Sequence, residues 1–228
     1  MTEREENIKK NLEAKIKKCK CEAGIPYWIV ITGLDGSGKT HLVNNLANYY
    51  RCMGFRVETA HLPYDKYLQT KLLPKLNSSY ADRLLFALDN WAFSEDLKRM
   101  SDVDIIISQR GWLDSFVHGA VKDFTYSFIA SLNRVDELPE CDVMLHLCAS
   151  ADVAYQRIKN DPDADKFEYP SYIRKQEMAT RQVFQDIMQK NPDLTAFLKS
   201  KNCFIDTTNK TIGKTFEIAR DFLNSINW

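Results

Sequence analysis

The stretch from Trp28 to Leu46 joins an apolar segment to a helical one through a glycine-rich turn, Gly33–Thr40. This turn matches the pattern G-x-x-x-x-G-K-[ST], and the segment before it has the β-branched and aromatic residues of a strand. Phosphate oxygens need several N–H donors that converge on one point, and a glycine-rich loop at a helix N-terminus supplies them with a favourable dipole. The sequence therefore predicts a strand, a phosphate-binding loop and a helix in that order.

The same alternation continues to the end of the chain. Strands are predicted at 27–32, 55–60, 103–108, 142–147 and 202–206, and helices at 39–52, 79–100, 113–135, 150–160, 169–190 and 212–225. Parallel strands need long crossover connections, so this alternation indicates a parallel sheet that is covered on both faces. We expect an α/β fold of three layers, with a P-loop and five parallel strands.

A charged segment precedes this pattern. In residues 3–22, Ile8, Leu12 and Ile16 recur every four residues, and Gly24 and Pro26 follow as stop signals. We predict an N-terminal helical extension over 1–24 and a single P-loop domain over 25–228. Three apolar residues in twenty favour a helix packed loosely on the surface, and docking of the stripe on the domain or on a second subunit is the alternative.

Composition excludes several classes of partner. Lys plus Arg and Asp plus Glu each number 31, so no basic excess draws the chain to nucleic acid or to a membrane surface. The apolar runs are too short to cross a bilayer, and the charged N-terminus lacks a signal-peptide core, which predicts a cytoplasmic protein. Among six cysteines only Cys19 and Cys21 lie close together, so we expect reduced thiols and no zinc site.

Within the turn, each residue type has an expected task. Lys39 is expected to reach the β- and γ-phosphates of ATP, and the hydroxyl of Thr40 is expected to bind Mg²⁺. An Asn-Lys-x-Asp guanine motif is missing, because 209–212 lacks the Asp, so ATP is favoured over GTP. The predicted triphosphate-binding residues are Gly33, Gly36, Ser37, Gly38, Lys39, Thr40 and His41.

From about Tyr27 onwards the chain resembles the thymidylate kinases. Asp35 resembles the family's aspartate that contacts the sugar 3′-hydroxyl of the acceptor nucleotide. The segment 84–91, LLFALDNW, is similar to the family's "LLF" helix, in which Phe86 takes the position that stacks on thymine. Asn90 stands where the resemblance implies an arginine that grips the acceptor phosphate, and Arg83 is the candidate replacement.

Two further segments carry the resemblance. The segment 105–115 is similar to the family's strand that ends in Asp-Arg-Tyr, which implies that Arg110 holds the acceptor phosphate or the transferring group. Gln109 replaces the family's Asp near Mg²⁺, and Asp114 either takes part of that role or caps a helix. The segment 138–168 resembles the family's "P-x-D" strand, "RI" helix and a helical lid at about 157–169, in which Arg157 and Lys166 are cationic stabilisers.

The resemblance implies roles for two further residues. Thr207 follows the last strand, beside the family's adenine pocket, and Tyr169 opens the helix after the lid, near base-pocket aromatics. Family members are commonly homodimers that pack through helices. For this chain the candidate face is Phe116, Val117, Phe124 and Phe128, with the alternative that these residues belong to the core.

The resemblance implies ATP-dependent phosphorylation of a deoxynucleoside monophosphate, with dTMP to dTDP as the first reaction to test. The protein catalyses such a reaction by aligning the donor and acceptor phosphates and by stabilising the developing negative charge with cations. The predicted catalytic residues are Lys39, Arg110, Asp35, Arg157 and Lys166, and the predicted substrate-binding residues are Asp35, Phe86, Asn90, Arg83, Arg110, Asp114 and Tyr169.

Two alternatives stay open at the level of sequence. A kinase of a deoxynucleoside or of an unusual nucleotide is suggested because His61 and Leu62 precede Pro63, where relatives carry a glutamate. A catalytically weak nucleotide-binding protein is suggested by the departures at Gln109, Asn90 and Lys166.

Overall fold

A computed structural model of the 228-residue chain describes residues 3–160, 169–197 and 199–226. Five strands are described: β1 Tyr27–Gly33, β2 Val57–His61, β3 Ile105–Gln109, β4 Val143–Cys148 and β5 Lys201–Asp206. The described α-helices are α1 Glu3–Glu22, α2 Lys39–Cys52, α3 Ser79–Arg99, α4 Trp112–Val121, α5 Tyr126–Asn133, α6 Ala151–Ile158, α7 Pro170–Met188 and α8 Ile212–Ser225. Short turns of other helix types occupy Leu68–Leu72, Leu73–Lys75 and Pro192–Phe197.

The five strands form one parallel sheet in the order β2-β3-β1-β4-β5. The central strand β1 is buried along its whole length, as expected for a strand covered on both faces. Because the strands are parallel, their carboxyl ends meet at one edge of the sheet, where ligands bind in open α/β folds. The predicted five-stranded parallel α/β fold is confirmed.

Side chains of β1 alternate between two cores. Tyr27, Ile29 and Ile31 pack into one core with residues of α2 and α8. Trp28 and Val30 pack into the other, with residues of α3, α4 and α7. Each fully buried large apolar side chain of this kind contributes about 1.5–3 kcal/mol to folding, so the strand that precedes the glycine-rich turn is firmly fixed.

One predicted helix is wrong in its extent. The predicted helix 113–135 is two helices, α4 and α5. Asp123 has a φ of 61°, which an α-helix cannot accommodate, and the Thr125 side chain then caps α5 by accepting a hydrogen bond from the Phe128 amide. The apolar pattern continues through the break because both helices contribute to the same core, α4 through Phe116 and Val117 and α5 through Ile129.

The loose packing predicted for the N-terminal helix is also wrong. Leu12, Ile16 and Cys19 are buried in the core that covers one face of the sheet. Lys15 forms an ion pair of 3.0 Å with Asp142, just before β4, and Lys20 forms one of 3.1 Å with Asp104, just before β3. The helix α1 is therefore packed on the domain near the amino ends of these strands.

Two of the four residues suggested for a dimer face are core residues. Phe116 is fully buried and Val117 is 4% exposed. No helix among the described residues has the length and apolarity needed to cross a bilayer.

Candidate active site

The glycine-rich turn takes its shape from close backbone contacts. A side chain on Gly33 would place its Cβ 1.8 Å from the Leu147 carbonyl oxygen, and one on Gly36 would place it 2.4 Å from the Ala154 carbonyl oxygen. Both residues also have positive φ values, 130° and 77°. Glycine is required at both positions, and the loop then leads directly into α2.

Lys39 is folded onto this loop. Its Nζ donates to the carbonyl oxygens of Gly33 and Leu34, at 2.8 and 2.9 Å, and to Oδ1 of Asp35, at 2.9 Å. Burial and the neighbouring Arg110 lower the pKa of Lys39, while Asp35 opposes them. The loop thus holds a buried ammonium group beside the backbone N–H groups of a helix N-terminus, which suits a polyphosphate.

Asp35 lies between two cations. The guanidinium of Arg110 donates to Oδ1 of Asp35, which also receives the Lys39 bond, and Gln176 donates to Oδ2 at 3.4 Å. Burial alone would raise the pKa of Asp35, but Arg110 and Lys39 outweigh it and hold this pKa below its ordinary value. Asp35 is therefore ionised, and it fixes both cations at the carboxyl edge of the sheet.

Arg110 adopts a backbone conformation that is uncommon for its residue type. It follows β3 with a φ of 71°, and the Ser108 hydroxyl donates to its carbonyl oxygen at 2.9 Å. A positive φ raises the conformational energy of a non-glycine residue, and residues with this conformation cluster at functional sites. The conformation turns the chain towards α4, and the Arg110 side chain extends to Asp35.

A pocket beside the glycine-rich turn, which we call the loop pocket, has the composition of a polyphosphate site. It contains the predicted triphosphate-binding residues from Gly36 to His41, together with Arg110, Arg157 and Thr207. Arg157 donates to the Gly36 carbonyl at 3.1 Å and to the Thr207 carbonyl at 3.0 Å, and the Thr207 hydroxyl donates to the Ser37 carbonyl at 2.9 Å. Arg157 and Thr207 therefore brace the turn.

A second pocket, which we call the inner pocket, lies against the loop pocket. Three residues line both pockets: Asp35, Gln69 and Arg110. The inner pocket is otherwise lined by Leu62, Pro63, Leu73, Arg83, Phe86, Asp89, Asn90, Gly111, Asp114, Ser115 and His118. Two ligands, one in each pocket, would meet at the shared residues.

Helix α3 supplies a flat aromatic surface and a cation to the inner pocket. Phe86 is half-buried, and the guanidinium carbon of Arg83 lies 4.7 Å from the centre of its ring. Asn90, one turn further on, is 4% exposed and donates from Nδ2 to the Ser115 hydroxyl at 3.1 Å and to Asn133 Oδ1 at 2.8 Å. The inner pocket therefore presents an aromatic ring and a guanidinium group side by side.

Helix α4 contributes two titratable groups to the inner pocket. Asp114 caps α4 by accepting from the Gly111 amide at 3.0 Å, and it also accepts from the Thr32 hydroxyl at 2.8 Å. Burial raises the pKa of Asp114. His118 lies 2.7 Å from the Tyr172 hydroxyl, and burial, then Arg83 and Arg110, lower its pKa to about 3, so this histidine is neutral.

Not every predicted site residue among the described ones lines one of the two pockets. Tyr169 is 45% exposed and does not line the inner pocket, whereas Tyr172, one turn later, is buried against it. Lys166 lies outside the described residues, as does most of the predicted lid. Asp114 has the contacts of the helix-capping alternative.

Sequence reasoning missed several residues of the site. Gln69 belongs to both pockets, His118 lines the inner one, and Gln176 contacts Asp35. Asp89 accepts hydrogen bonds from the amides of Tyr64 and Asp65, at 2.6 and 2.8 Å, and so shapes the wall of the inner pocket. His118 had one available signal, since it stands four residues after Asp114 on the same helix face.

The oxygen atoms near the turn fit a magnesium ion that is bound mainly through phosphates. The Thr40 hydroxyl donates to Oε1 of Gln109 at 2.8 Å, so two neutral oxygen ligands lie side by side at the rim of the loop pocket. Within the described ranges no cluster of three or more His, Cys, Asp or Glu forms a metal cage. Mg²⁺ commonly binds phosphate oxygens and keeps several waters, so a cage is not required.

Comparisons with known proteins converge on one family. The family model described as "Thymidylate kinase" matches residues 31–212. A protein of Saccharolobus solfataricus named "probable thymidylate kinase 1" is 28% identical over 189 residues, covering 82% of this chain and 96% of its own length. A "probable thymidylate kinase" of Methanococcus aeolicus is 27% identical over 191 residues, covering 81% and 89%.

Two solved structures have the same fold. A thymidylate kinase of Candida albicans superposes with a TM-score of 0.58 at 20% identity, covering 90% of this chain and 96% of the other. A thymidylate kinase of Ehrlichia chaffeensis superposes with a TM-score of 0.62 at 20% identity, covering 87% and 98%. At this identity the superpositions establish the fold alone.

Proposed function

Because the chain belongs to the thymidylate kinase family, we propose that it transfers the γ-phosphate of ATP to dTMP and forms dTDP and ADP. Family membership confirms the predicted enzyme class, a nucleoside monophosphate kinase. The observation that carries the proposal within this chain is the junction of the two pockets at Asp35, Gln69 and Arg110. Phosphoryl transfer needs a donor and an acceptor phosphate in line at one point, and two adjoining pockets provide that arrangement.

The loop pocket is the proposed ATP site. Backbone N–H groups of residues 36–41 would hold the triphosphate oxygens, and Lys39 would leave its loop carbonyls for the β- and γ-phosphates. Arg157, already fixed to the turn, adds a second cation near the phosphates. Mg²⁺ would be held by Thr40 beside Gln109, and when bound it neutralises charge on the phosphates.

The inner pocket is the proposed dTMP site. Phe86 would stack on the base, Arg110 would hold the acceptor phosphate at the junction, and Asp35 would hold Arg110 in place and accept a hydrogen bond from the sugar hydroxyl. Because His118 is neutral, the inner pocket keeps its positive charge at the guanidinium groups. The protein positions two phosphates and stabilises the negative charge that develops between them.

An acceptor screen tests this proposal. The purified protein with ATP and Mg²⁺ is given dTMP, dUMP, thymidine or deoxyguanosine in turn, and nucleotide products are separated by ion-exchange chromatography. We expect dTDP from dTMP as the fastest reaction. Turnover of thymidine without turnover of dTMP would instead identify a deoxynucleoside kinase, and tight ATP binding without any transfer would identify a nucleotide-binding protein.

We also propose that the protein is a homodimer. On the outer face of α3, Tyr80, Leu84 and Leu88 recur every four residues and are 48%, 46% and 59% exposed. An apolar stripe of this kind on a helix suits self-association. Sedimentation equilibrium of the wild type and of Leu84→Asp is the test: we expect a dimer that becomes a monomer, and a monomeric wild type contradicts the proposal.

A further inference from the structure

Gln69 differs from the other two residues that line both pockets. Asp35 and Arg110 form an ion pair with each other, and Asp35 also accepts a hydrogen bond from Lys39. The side chain of Gln69 is half-buried, and no described residue is hydrogen-bonded to it. Its carboxamide therefore has two N–H bonds and one oxygen atom available for ligands at the point where the two pockets meet.

The backbone around Gln69 is fixed on both sides. The Gln69 amide donates to the Asp65 carbonyl at 3.1 Å, and the Asp65 amide donates to the side chain of Asp89 on α3 at 2.8 Å. On the other side, Leu73 is buried in a small apolar core. Between these points the segment Leu68–Leu72 forms one wide turn of π-helix, a conformation that is frequent at functional sites. The turn is therefore anchored, whereas the Gln69 side chain is not.

A carboxamide at this position suits two phosphates that approach each other. Its single nitrogen can donate one hydrogen to each of two acceptors, and it carries no charge for Asp35 to neutralise. The guanidinium of Arg110, in contrast, already donates to Asp35. Phosphates on two neighbouring ligands repel each other, so a donor that contacts both of them lowers the energy of bringing them together.

We propose that the Gln69 carboxamide bridges the two nucleotides, donating one hydrogen to the last phosphate of ATP and the other to the phosphate of dTMP. This inference rests on the proposed function, since it needs a nucleotide in each pocket. The first nucleotide to bind orders the Gln69 side chain, and the second then binds to a side chain that is already ordered. Gln69 therefore couples the two pockets, and each nucleotide raises the affinity for the other by the same factor.

Calorimetry of the two nucleotides, apart and together, measures this coupling. The dissociation constant of a non-hydrolysable ATP analogue with Mg²⁺ is measured without dTMP and with saturating dTMP, and the ratio of the two constants is the coupling factor. We expect Gln69→Met to lower this factor by about 10-fold, because one long side chain is no longer ordered once for two ligands. Gln69→Glu keeps the shape but replaces the N–H donors with oxygen, and it should lower the factor at least as much.

Thr70→Val is the matched control. Thr70 lies in the same turn, its hydroxyl donates to the Lys66 carbonyl at 2.7 Å, and it lines neither pocket. We expect its coupling factor to stay within about 2-fold of the wild type. A factor lowered as much by Thr70→Val as by Gln69→Met would overturn the inference, because the turn and not the amide would then couple the pockets. An unchanged factor in Gln69→Met would overturn it too, with transfer from ATP to dTMP intact. A wild type that binds no dTMP would instead refute the proposed function.

Discussion

The loop pocket and the inner pocket share one edge of the sheet, yet they are built in different ways. The loop pocket is built around one run of consecutive residues, 35–42, whose backbone is held by Arg157 and Thr207. The inner pocket is assembled from side chains of α3, α4 and the segment between β2 and α3. Where backbone N–H groups bind the ligand, many side chains can be substituted without changing what is bound. Where side chains bind the ligand, each substitution changes what is bound. Of the departures from the family pattern, Gln109 lines the loop pocket and Asn90 lines the inner pocket.

Removing the loop cation should have the largest effect. We expect Lys39→Ala to lower kcat by about 10³-fold for every acceptor alike, because the γ-phosphate loses a preorganised charge. Lys210→Ala is the matched control, since Lys210 also lines the loop pocket but its Nζ donates to the Asp206 carbonyl. Initial rates with dTMP and dUMP provide the measurement. If Lys210→Ala lowers kcat as much as Lys39→Ala does, then catalysis depends on the total positive charge of the loop pocket and not on the position of Lys39.

Arg110 belongs to both pockets, so its removal should affect both. We expect Arg110→Met to lower kcat/KM for dTMP by roughly 10²-fold and to lower kcat as well, because a cation that contacts the transferring group acts in the transition state. The effects of Asp35→Asn and Arg110→Met on kcat/KM should be less than additive, because the two side chains form an ion pair. Steady-state kinetics of the two single variants and the double variant measure this coupling. Full additivity would contradict a shared role.

Substitution of Phe86 should affect the inner pocket and leave the loop pocket unchanged. Loss of base stacking in Phe86→Ala is expected to raise the KM for dTMP ~10-fold, while the KM for ATP stays near that of the wild type. Phe86→Tyr, which keeps the ring, is the control variant. Equal increases in both KM values would show that α3 supports the loop pocket too.

The neutral histidine of the inner pocket should give the smallest effect, on stability. His118 has a folded-state pKa of about 3, against an ordinary value of 6.5. As the pH falls, the unfolded chain protonates His118 before the folded chain does. The contribution of His118 to stability is therefore complete above pH 6.5 and is lost as the pH falls towards 3. We expect His118→Gln to flatten the fall in unfolding free energy between pH 6.5 and 4.5, by up to ~1.4 kcal/mol per pH unit. Urea unfolding at several pH values tests this, and an unchanged slope contradicts it.

The fold and the loop pocket could be predicted from the sequence because their signals are local. The strand, the glycine-rich turn and the helix around Lys39 are contiguous, and each strand was located to within two residues at its start. The break between α4 and α5 was missed because Asp123 carries no strong breaker signal, although its φ is positive. Docking of α1 on the domain was an alternative to the preferred loose packing, because three apolar residues in twenty are a weak signal and the ion pairs to Asp142 and Asp104 form only in the folded chain.

The inner pocket was less accessible to sequence reasoning. Phe86, Asn90, Arg83 and Asp114 were found through the resemblance, and they line it as a group. Gln69 and Gln176 lie on segments distant in sequence from the motifs and approach Asp35 and Arg110 only in the folded chain. The hydrogen-bond chain that orients Asn90 runs through Asn133, 43 residues away.

The proposed function requires that two nucleotides lie in the two pockets at once, with their phosphates meeting at Asp35 and Arg110. A single ligand in which adenosine and thymidine are joined through a chain of phosphates tests this directly, by calorimetry with Mg²⁺ present. We predict that it binds far more tightly than ATP or dTMP alone, because the second half binds as an intramolecular event. An affinity no better than that of ATP would mean that the two pockets do not hold two nucleotides at once.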